Sequence, residues 1–313
     1  MIYSYGISME GTYHVKNDIV CQDSHSIIKI SDNIAVAAVA DGLGSADYSD
    51  VASRLAADIT TEYCKENLNP QGTVDEILAI IKTSYSNALQ AIEEKAKSEN
   101  HDLEHYDTTL SLALLIDNTL YYGHSGDSGI VALTVDGTYE KVTEQQRDED
   151  NRVFPLFFED RWEFGLFEHK VCSVFLATDG MLEPLFPFLI KNEPVSIHVS
   201  LARYFMDNRS LNIDKDGEDS VKTRIEEFIK NIPDEQVNDD KTVVVLINTS
   251  IEPAIQPEVY YKEPDWVALK RKHDEEWKRL AYPHLFKDEK PELKTKQEPQ
   301  QTENETDNIG DWQ

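Results

Sequence analysis

The chain has 313 residues and a formal charge of −29, from 59 Asp plus Glu against 30 Lys plus Arg. That length is ample for a substantial core, and a hydrophobic fraction of 40% excludes a wholly disordered chain. The excess of acid disfavours nucleic acid, whose phosphates are bound by Lys and Arg that displace counterions.

No apolar run approaches the roughly 18 residues needed to span a bilayer. The opening MIYSYGISMEGTYHV lacks the basic and apolar regions of a secretory signal. Cys21, Cys64 and Cys172 contain no CxxC pair and are odd in number, which argues against a disulfide framework. The expectation is a cytoplasmic protein with no membrane or nucleic-acid partner.

In chain order, IIKI (27–30) and IAVAAVA (34–40) read as two strands around the polar turn Ser31-Asp32-Asn33. A helix is predicted over 48–64, with Val51, Leu55, Ile59 and Tyr63 on its apolar face. Thr73 and Glu76 form a capping box for a second helix bearing Ile77, Ile80, Ile81, Tyr85, Leu89 and Ile92. Strands return at 109–116, 119–125 and 129–135, and Asp136-Gly137 predicts a type I′ turn into 139–142. A strand at 171–178, helical patterning to about 232 and a strand at 242–248 complete residues 1–250. Strands at both ends with helices in blocks predict an α+β fold, two packed antiparallel sheets flanked by helices. Residues 251–287 read as a Pro-punctuated linker and an amphipathic helix over 265–281, and 288–313 as a disordered tail.

Two of the four Asp–Gly pairs differ from ordinary turns. Asp41-Gly42 and Asp179-Gly180 each follow a wholly apolar run and precede a helical segment, whereas Asp216-Gly217 lies in a polar loop that fails as an EF-hand. Asp23 precedes a strand and Asp239 precedes TVVVLI, so all four carboxylates fall at strand ends. Taken singly, each could be a turn or capping aspartate. If they converge, pairs about 5 Å apart repel by roughly 3 kcal/mol at an effective dielectric near 20. Oxygen-only ligation of Mg²⁺ or Mn²⁺ resolves that repulsion.

The ordered set CQD (21–23), VADGLGS (39–45), YDTTLSLAL (106–114), GHSGDSG (123–129), LATDGM (176–181) and NDDKTVVVL (238–246) resembles the metal-dependent protein serine/threonine phosphatases of the type 2C (PPM) class. The resemblance is closest to the bacterial branch with CQD in place of NED, and it covers about residues 5–249. It implies that Asp41 bridges two metals, with the Gly42 carbonyl on the second. Asp179 and Asp239 hold the first, and Asp23 binds the second directly or through water. Asp127 matches a carboxylate that helps hold a third, weaker ion in several relatives. Asp240 stands where many members have Asn, and Thr108 and Thr109 match a structural pair. Catalysis then runs through Asp41, Asp179 and Asp239 by way of activated water, on phosphoproteins made by a Ser/Thr kinase.

Two departures stand out. Leu43 replaces the His that follows the first Asp–Gly in many relatives, and Asp18 falls where the phosphate-binding Arg is expected, leaving His14 or Lys16 as substitutes. The alternative reading is therefore a weak or inactive phosphatase-like scaffold. No cysteine has Arg six residues on, GLGS lacks a P-loop Lys, and GDSG here lacks the His segment of a protease triad. Cys21 could perturb Asp23 if oxidised. Residues 143–170 occupy the place of the flap beside the cleft, as a peptide-contacting surface or a local mini-core. The helix over 265–281 either docks a partner or caps the domain.

Overall fold

Ten strands form among residues 1–286, which the computed structural model describes. The order is β1 (Ile2–Met9), α1 (Thr12–Asn17), β2 (Ser24–Ser31), β3 (Ile34–Ala40), α2 (Ser49–Asn67), α3 (Val74–Glu99), β4 (Leu110–Ile116), β5 (Thr119–Ser125), β6 (Gly129–Thr134), β7 (Tyr139–Lys141), β8 (Glu163–Leu166), β9 (Val171–Ala177), α4 (Asp179–Leu185), α5 (Val199–Met206), α6 (Asn208–Leu211), α7 (Ile213–Asp216), α8 (Glu218–Lys230), β10 (Lys241–Asn248) and α9 (Trp266–Ala281). Two five-stranded antiparallel sheets result, ordered β1-β10-β9-β6-β7 and β2-β3-β4-β5-β8.

Strand alternation splits the apolar side chains into three layers. Ala35, Ala37, Val39, Leu115, Leu176 and Val244 meet between the sheets. Val36, Ala38, Leu112 and Leu114 point outward beneath α2 and α3. Phe175, Val243 and Val245 face Leu185, Phe205, Ile225 and Ile229 on the other flank. The central strands are thus covered on both faces, which explains why they read as unbroken apolar runs.

The register brings distant chain segments to one end of both sheets. Ser24 pairs with Ala40, Val39 with Ser111, and Leu110 with Ser125 in one sheet. Ala177 pairs with both Gly129 and Val243 in the other. The start of β2, the end of β3, the β5–β6 loop, the end of β9 and the start of β10 therefore share that end.

The Thr73–Glu76 capping box forms in both directions, as predicted. Elsewhere the structure differs. The fully buried face of α2 is Ala52, Ser53, Ala56, Ala57, Thr60, Thr61 and Cys64, whereas Val51, Leu55, Ile59 and Tyr63 are only half-buried. Small side chains let the helix lie close to the sheet, and the larger ones pack beside that seam. The β6–β7 turn is not type I′. Gly137 N–H donates to the Thr134 carbonyl at 3.0 Å, and of residues 135–137 only Gly137 has positive φ, at 84°. This is a longer loop closed by a left-handed glycine. Asp216-Gly217 joins α7 to α8 instead of lying in an open loop.

One compact unit extends past residue 250 to Asp265. Tyr139 N–H donates to the Tyr260 hydroxyl at 2.8 Å, and Ala254 N–H to the Val135 carbonyl at 2.8 Å, strapping this segment to the β6–β7 hairpin. In the second unit α9 forms as predicted, one residue later, with Val267, Trp277 and Leu280 exposed. The predicted tail lies outside the described residues.

His124 on β5 is fully buried opposite Ser111. Its Nε2 lies 2.8 Å from the Glu144 carbonyl, which can only accept, so Nε2 carries the proton and Nδ1 accepts from Ser111 Oγ at 2.9 Å. Burial pushes the imidazole down from 6.5 to about 4. The folded ring stays neutral while the unfolded ring takes up a proton. Its contribution is therefore intact above pH 6.5 and shrinks as pH falls to about 4, by about 3 kcal/mol. Across that window the urea-unfolding free energy of His124→Gln should fall less steeply than that of the parent, by about that amount.

Candidate metal centre

Each carboxylate is set by its own local geometry. Asp41 follows β3 directly, and its backbone is clamped by the neighbouring strand. Its carbonyl accepts from Thr109 N–H at 2.8 Å and from Thr108 Oγ1 at 3.0 Å, while its N–H donates to Thr109 Oγ1 at 3.0 Å. Thr109 Oγ1 also lies 2.8 Å from Ser128 Oγ, tying this clamp to the loop that carries Asp127. Asp179 opens α4. A Cβ on the next residue, Gly180, would fall 2.3 Å from the Asp240 carbonyl oxygen, so the glycine lets the Asp179 and Asp239 segments touch backbone to backbone.

The nearest side-chain oxygens of Asp41, Asp127 and Asp179 all lie within 4.8 Å of one another. A cleft of about 160 Å³ opens there, lined also by Asp239, Gly42, Leu43 and His14. Asp239 is exposed at its mouth. Asp23 lies deeper, 5% exposed, where its Oδ2 accepts from Thr178 Oγ1 at 2.7 Å. The four aspartates picked out at strand ends thus gather at one place, joined by Asp127.

At about 4.8 Å and an effective dielectric near 20, each ionised pair repels by about 3 kcal/mol. Burial, then the charges of Asp23, Asp179, Asp127 and Asp239, pushes Asp41 well above the usual carboxylate range. Burial and then Asp240 raise Asp23, with Thr178 opposing. Burial and Asp179 push Asp127 up to about 7, against Arg147. The cluster therefore favours bound protons or cations over three free carboxylates. Its donors are oxygens at a partly open site, a set that fits Mg²⁺ or Mn²⁺ and lacks the thiolate or paired imidazoles favoured by zinc.

Arg147 is the side chain that sequence reasoning missed. Its Nη2 lies 2.5 Å from Asp127 Oδ2 and 3.1 Å from Asp179 Oδ2. It sits within an acidic, Gln-rich stretch with no motif of its own, and only the fold carries it to the cluster. Asp240, where many relatives have Asn, joins three segments. Its two oxygens accept from Gly11 N–H and Gln22 N–H, each at 2.7 Å, and Oδ1 lies 2.8 Å from His14 Nδ1. An Asn has one acceptor oxygen and could not serve both N–H groups in this way.

Of the two proposed phosphate contacts, the structure brings His14 to the cleft, while Lys16 is exposed and paired with Asp234 at 3.1 Å. Asp18 closes α1 in the left-handed conformation, at φ 55°. Burial, then Asp240 and Asp23, raises the Cys21 thiol far above its ordinary value, which leaves little reactive thiolate. The flap forms the local mini-core expected of it. Leu156, Trp162 and Phe164 pack on the α2–α3 core, with Trp162 and Phe164 edge-on to Tyr85. Phe157 and Phe158 stay 38% and 37% exposed.

The chain matches the sequence profile of the family described as Protein phosphatase 2C over residues 10–229. It superposes on the serine/threonine phosphatase PstP/Ppp of Mycobacterium tuberculosis with a TM-score of 0.54 and 20% identity, covering 80% of this chain and 99% of that one. Stp1 of Staphylococcus aureus superposes with a TM-score of 0.54 and 15% identity, covering 79% and 95%. A crystal structure of the PstP catalytic domain in complex with two manganese ions gives 0.53 and 20%, covering 79% and 97%. No curated protein matches the chain in sequence. The chain belongs to the protein phosphatase 2C family, a class of metal-dependent protein serine/threonine phosphatases. No described helix is long and apolar enough to cross a membrane.

Gly180→Ala should drive the 239–240 segment away from Asp179, because the new methyl meets a backbone carbonyl and not a yielding side chain. Expected are a stability loss of about 1–3 kcal/mol in urea unfolding and weaker Mn²⁺ binding by calorimetry. Parent-like metal affinity in the variant would show that the close approach does not shape the centre.

Proposed function

We propose that this protein hydrolyses phosphoserine and phosphothreonine on cytoplasmic proteins, opposing a Ser/Thr kinase. The observation that carries this reading is the gathering of Asp41, Asp127 and Asp179 oxygens within 4.8 Å in an open cleft, with Asp239 and Asp23 beside them. In this reading Asp41, Asp179 and Asp239 would hold one ion of Mg²⁺ or Mn²⁺, and Asp41 with the Gly42 carbonyl and Asp23 would hold a second. The two manganese ions of the PstP complex and the family match support a two-ion centre.

When bound, the two cations supply Lewis acidity that makes water nucleophilic near neutral pH and offsets charge on the phosphoryl oxygens. The protein's own groups position. Thr108, Thr109 and Ser128 hold the Asp41 backbone, so its carboxylate is aimed before anything binds. Thr178 orients Asp23 from behind. His14, braced by Asp240, presents its ring edge to the cleft as a contact for the phosphate. Leu43 offers no proton, so the leaving serine or threonine oxygen must take one from a water in the cleft or from another cleft group. The exposed Phe157 and Phe158 give the flap an apolar surface for the peptide around the phosphorylated residue.

The scaffold reading rests on Leu43 and Asp18, which remove two groups that many relatives carry. One assay separates the two. The purified chain should hydrolyse p-nitrophenyl phosphate and a phosphoserine peptide when Mn²⁺ or Mg²⁺ is added, and EDTA should abolish turnover. Asp41→Asn should lower kcat/KM by at least ~10²-fold while circular dichroism shows the parent fold. Absence of turnover in folded, metal-saturated parent protein would establish the scaffold instead.

A further inference from the structure

Arg147 is built into the carboxylate cluster. Its guanidinium contacts Asp127 and Asp179 together, at 2.5 and 3.1 Å, with its side chain 25% exposed. The backbone that carries it is fixed on both sides. Gln146 N–H donates to the Gly126 carbonyl at 2.8 Å, Gln146 Oε1 accepts from Gly126 N–H at 3.0 Å, and Gln145 Nε2 donates to the Asp127 carbonyl at 2.9 Å. These bonds zip residues 145–146 onto the loop that bears Asp127. On the far side Arg147 bridges to Val153 across a tight loop, in which Asp148 Oδ1 accepts from Asp150 N–H at 2.9 Å and Arg152 N–H at 2.8 Å.

Asp127, which matches a carboxylate that helps hold a third, weaker ion in several relatives, stands here beside Asp179, their nearest oxygens within 4.8 Å. A guanidinium carries one permanent charge, keeps it at any working pH, and presents N–H donors that match carboxylate oxygens. Held from both sides by backbone bonds, it does not have to be recruited from solution. We infer that Arg147 is the resident cation of the Asp127–Asp179 pair, that it takes the place of a third divalent ion, and that the centre of this protein is complete with two. The inference rests on the two-ion reading above and adds a limit to it. The fold supplies a third positive charge as a side chain, so activity should not need the high metal concentrations that fill a weak site.

Counting bound ions tests this directly. Mn²⁺ would be titrated into the full chain and the free ion measured by its EPR signal, with folding checked by circular dichroism. The parent should saturate at two ions, and Arg147→Lys, which keeps a charge there, should do the same. Arg147→Ala should take up a third, weaker ion, and adding Asp127→Asn to that variant should return the count to two. Three ions on the parent, or two on Arg147→Ala, would overturn the inference while leaving the two-ion centre standing. A parent that binds no Mn²⁺ would instead overturn the two-ion reading itself, and this inference with it.

Discussion

Electrostatic repulsion among converging carboxylates is the constraint around which this molecule is organised. Asp41, Asp127 and Asp179 are held with oxygens within 4.8 Å, close enough that ionising all three at once is unfavourable by several kcal/mol. Such an arrangement persists only if the surrounding structure is rigid and stable enough to hold it. The three apolar layers supply that stability at a distance from the charges. The Thr109–Ser128 clamp and the backbone contact at Gly180 supply rigidity beside them. The strain of the unliganded cluster is also what makes a divalent cation bind well, because each ion relieves several repulsions together.

Charge around the cluster is arranged, not merely concentrated. Asp240 spends both oxygens on backbone N–H groups and on His14, so it fixes the walls of the cleft. Arg147 contacts both Asp127 and Asp179 and neutralises part of that pair. The flap divides its work in the same manner. Its Trp162 and Phe164 are anchored on Tyr85 of α3, while Phe157 and Phe158 keep apolar surface in solvent.

Much of the architecture was readable from local pattern. The capping box at Thr73 and Glu76, the hairpin around Asp32 and the doubly buried strands all depend on interactions within a few residues, or on alternation along one strand. The misreadings share a cause. The four-residue spacing of Val51, Leu55, Ile59 and Tyr63 predicts them as the buried face of α2, but the sheet beneath sets how closely the helix may approach, and that selects Ala, Ser and Thr. The turn after β6 was assigned from an Asp–Gly pair, but a three-residue loop places the glycine at its last position. Arg147 gave no signal, since its neighbours in sequence are loop residues and its partners lie 20 and 32 positions away.

By itself the sequence determined the kinds of element, the alternation that buries the strands, and which aspartates stand at strand ends, because each follows from chain-local geometry and side-chain chemistry. Only the tertiary structure decided that those ends belong to one end of both sheets, that Lys16 turns away while His14 turns in, and that a guanidinium completes the charge pattern. Distances between residues far apart in the chain depend on sheet order and register, and no short stretch of sequence encodes either.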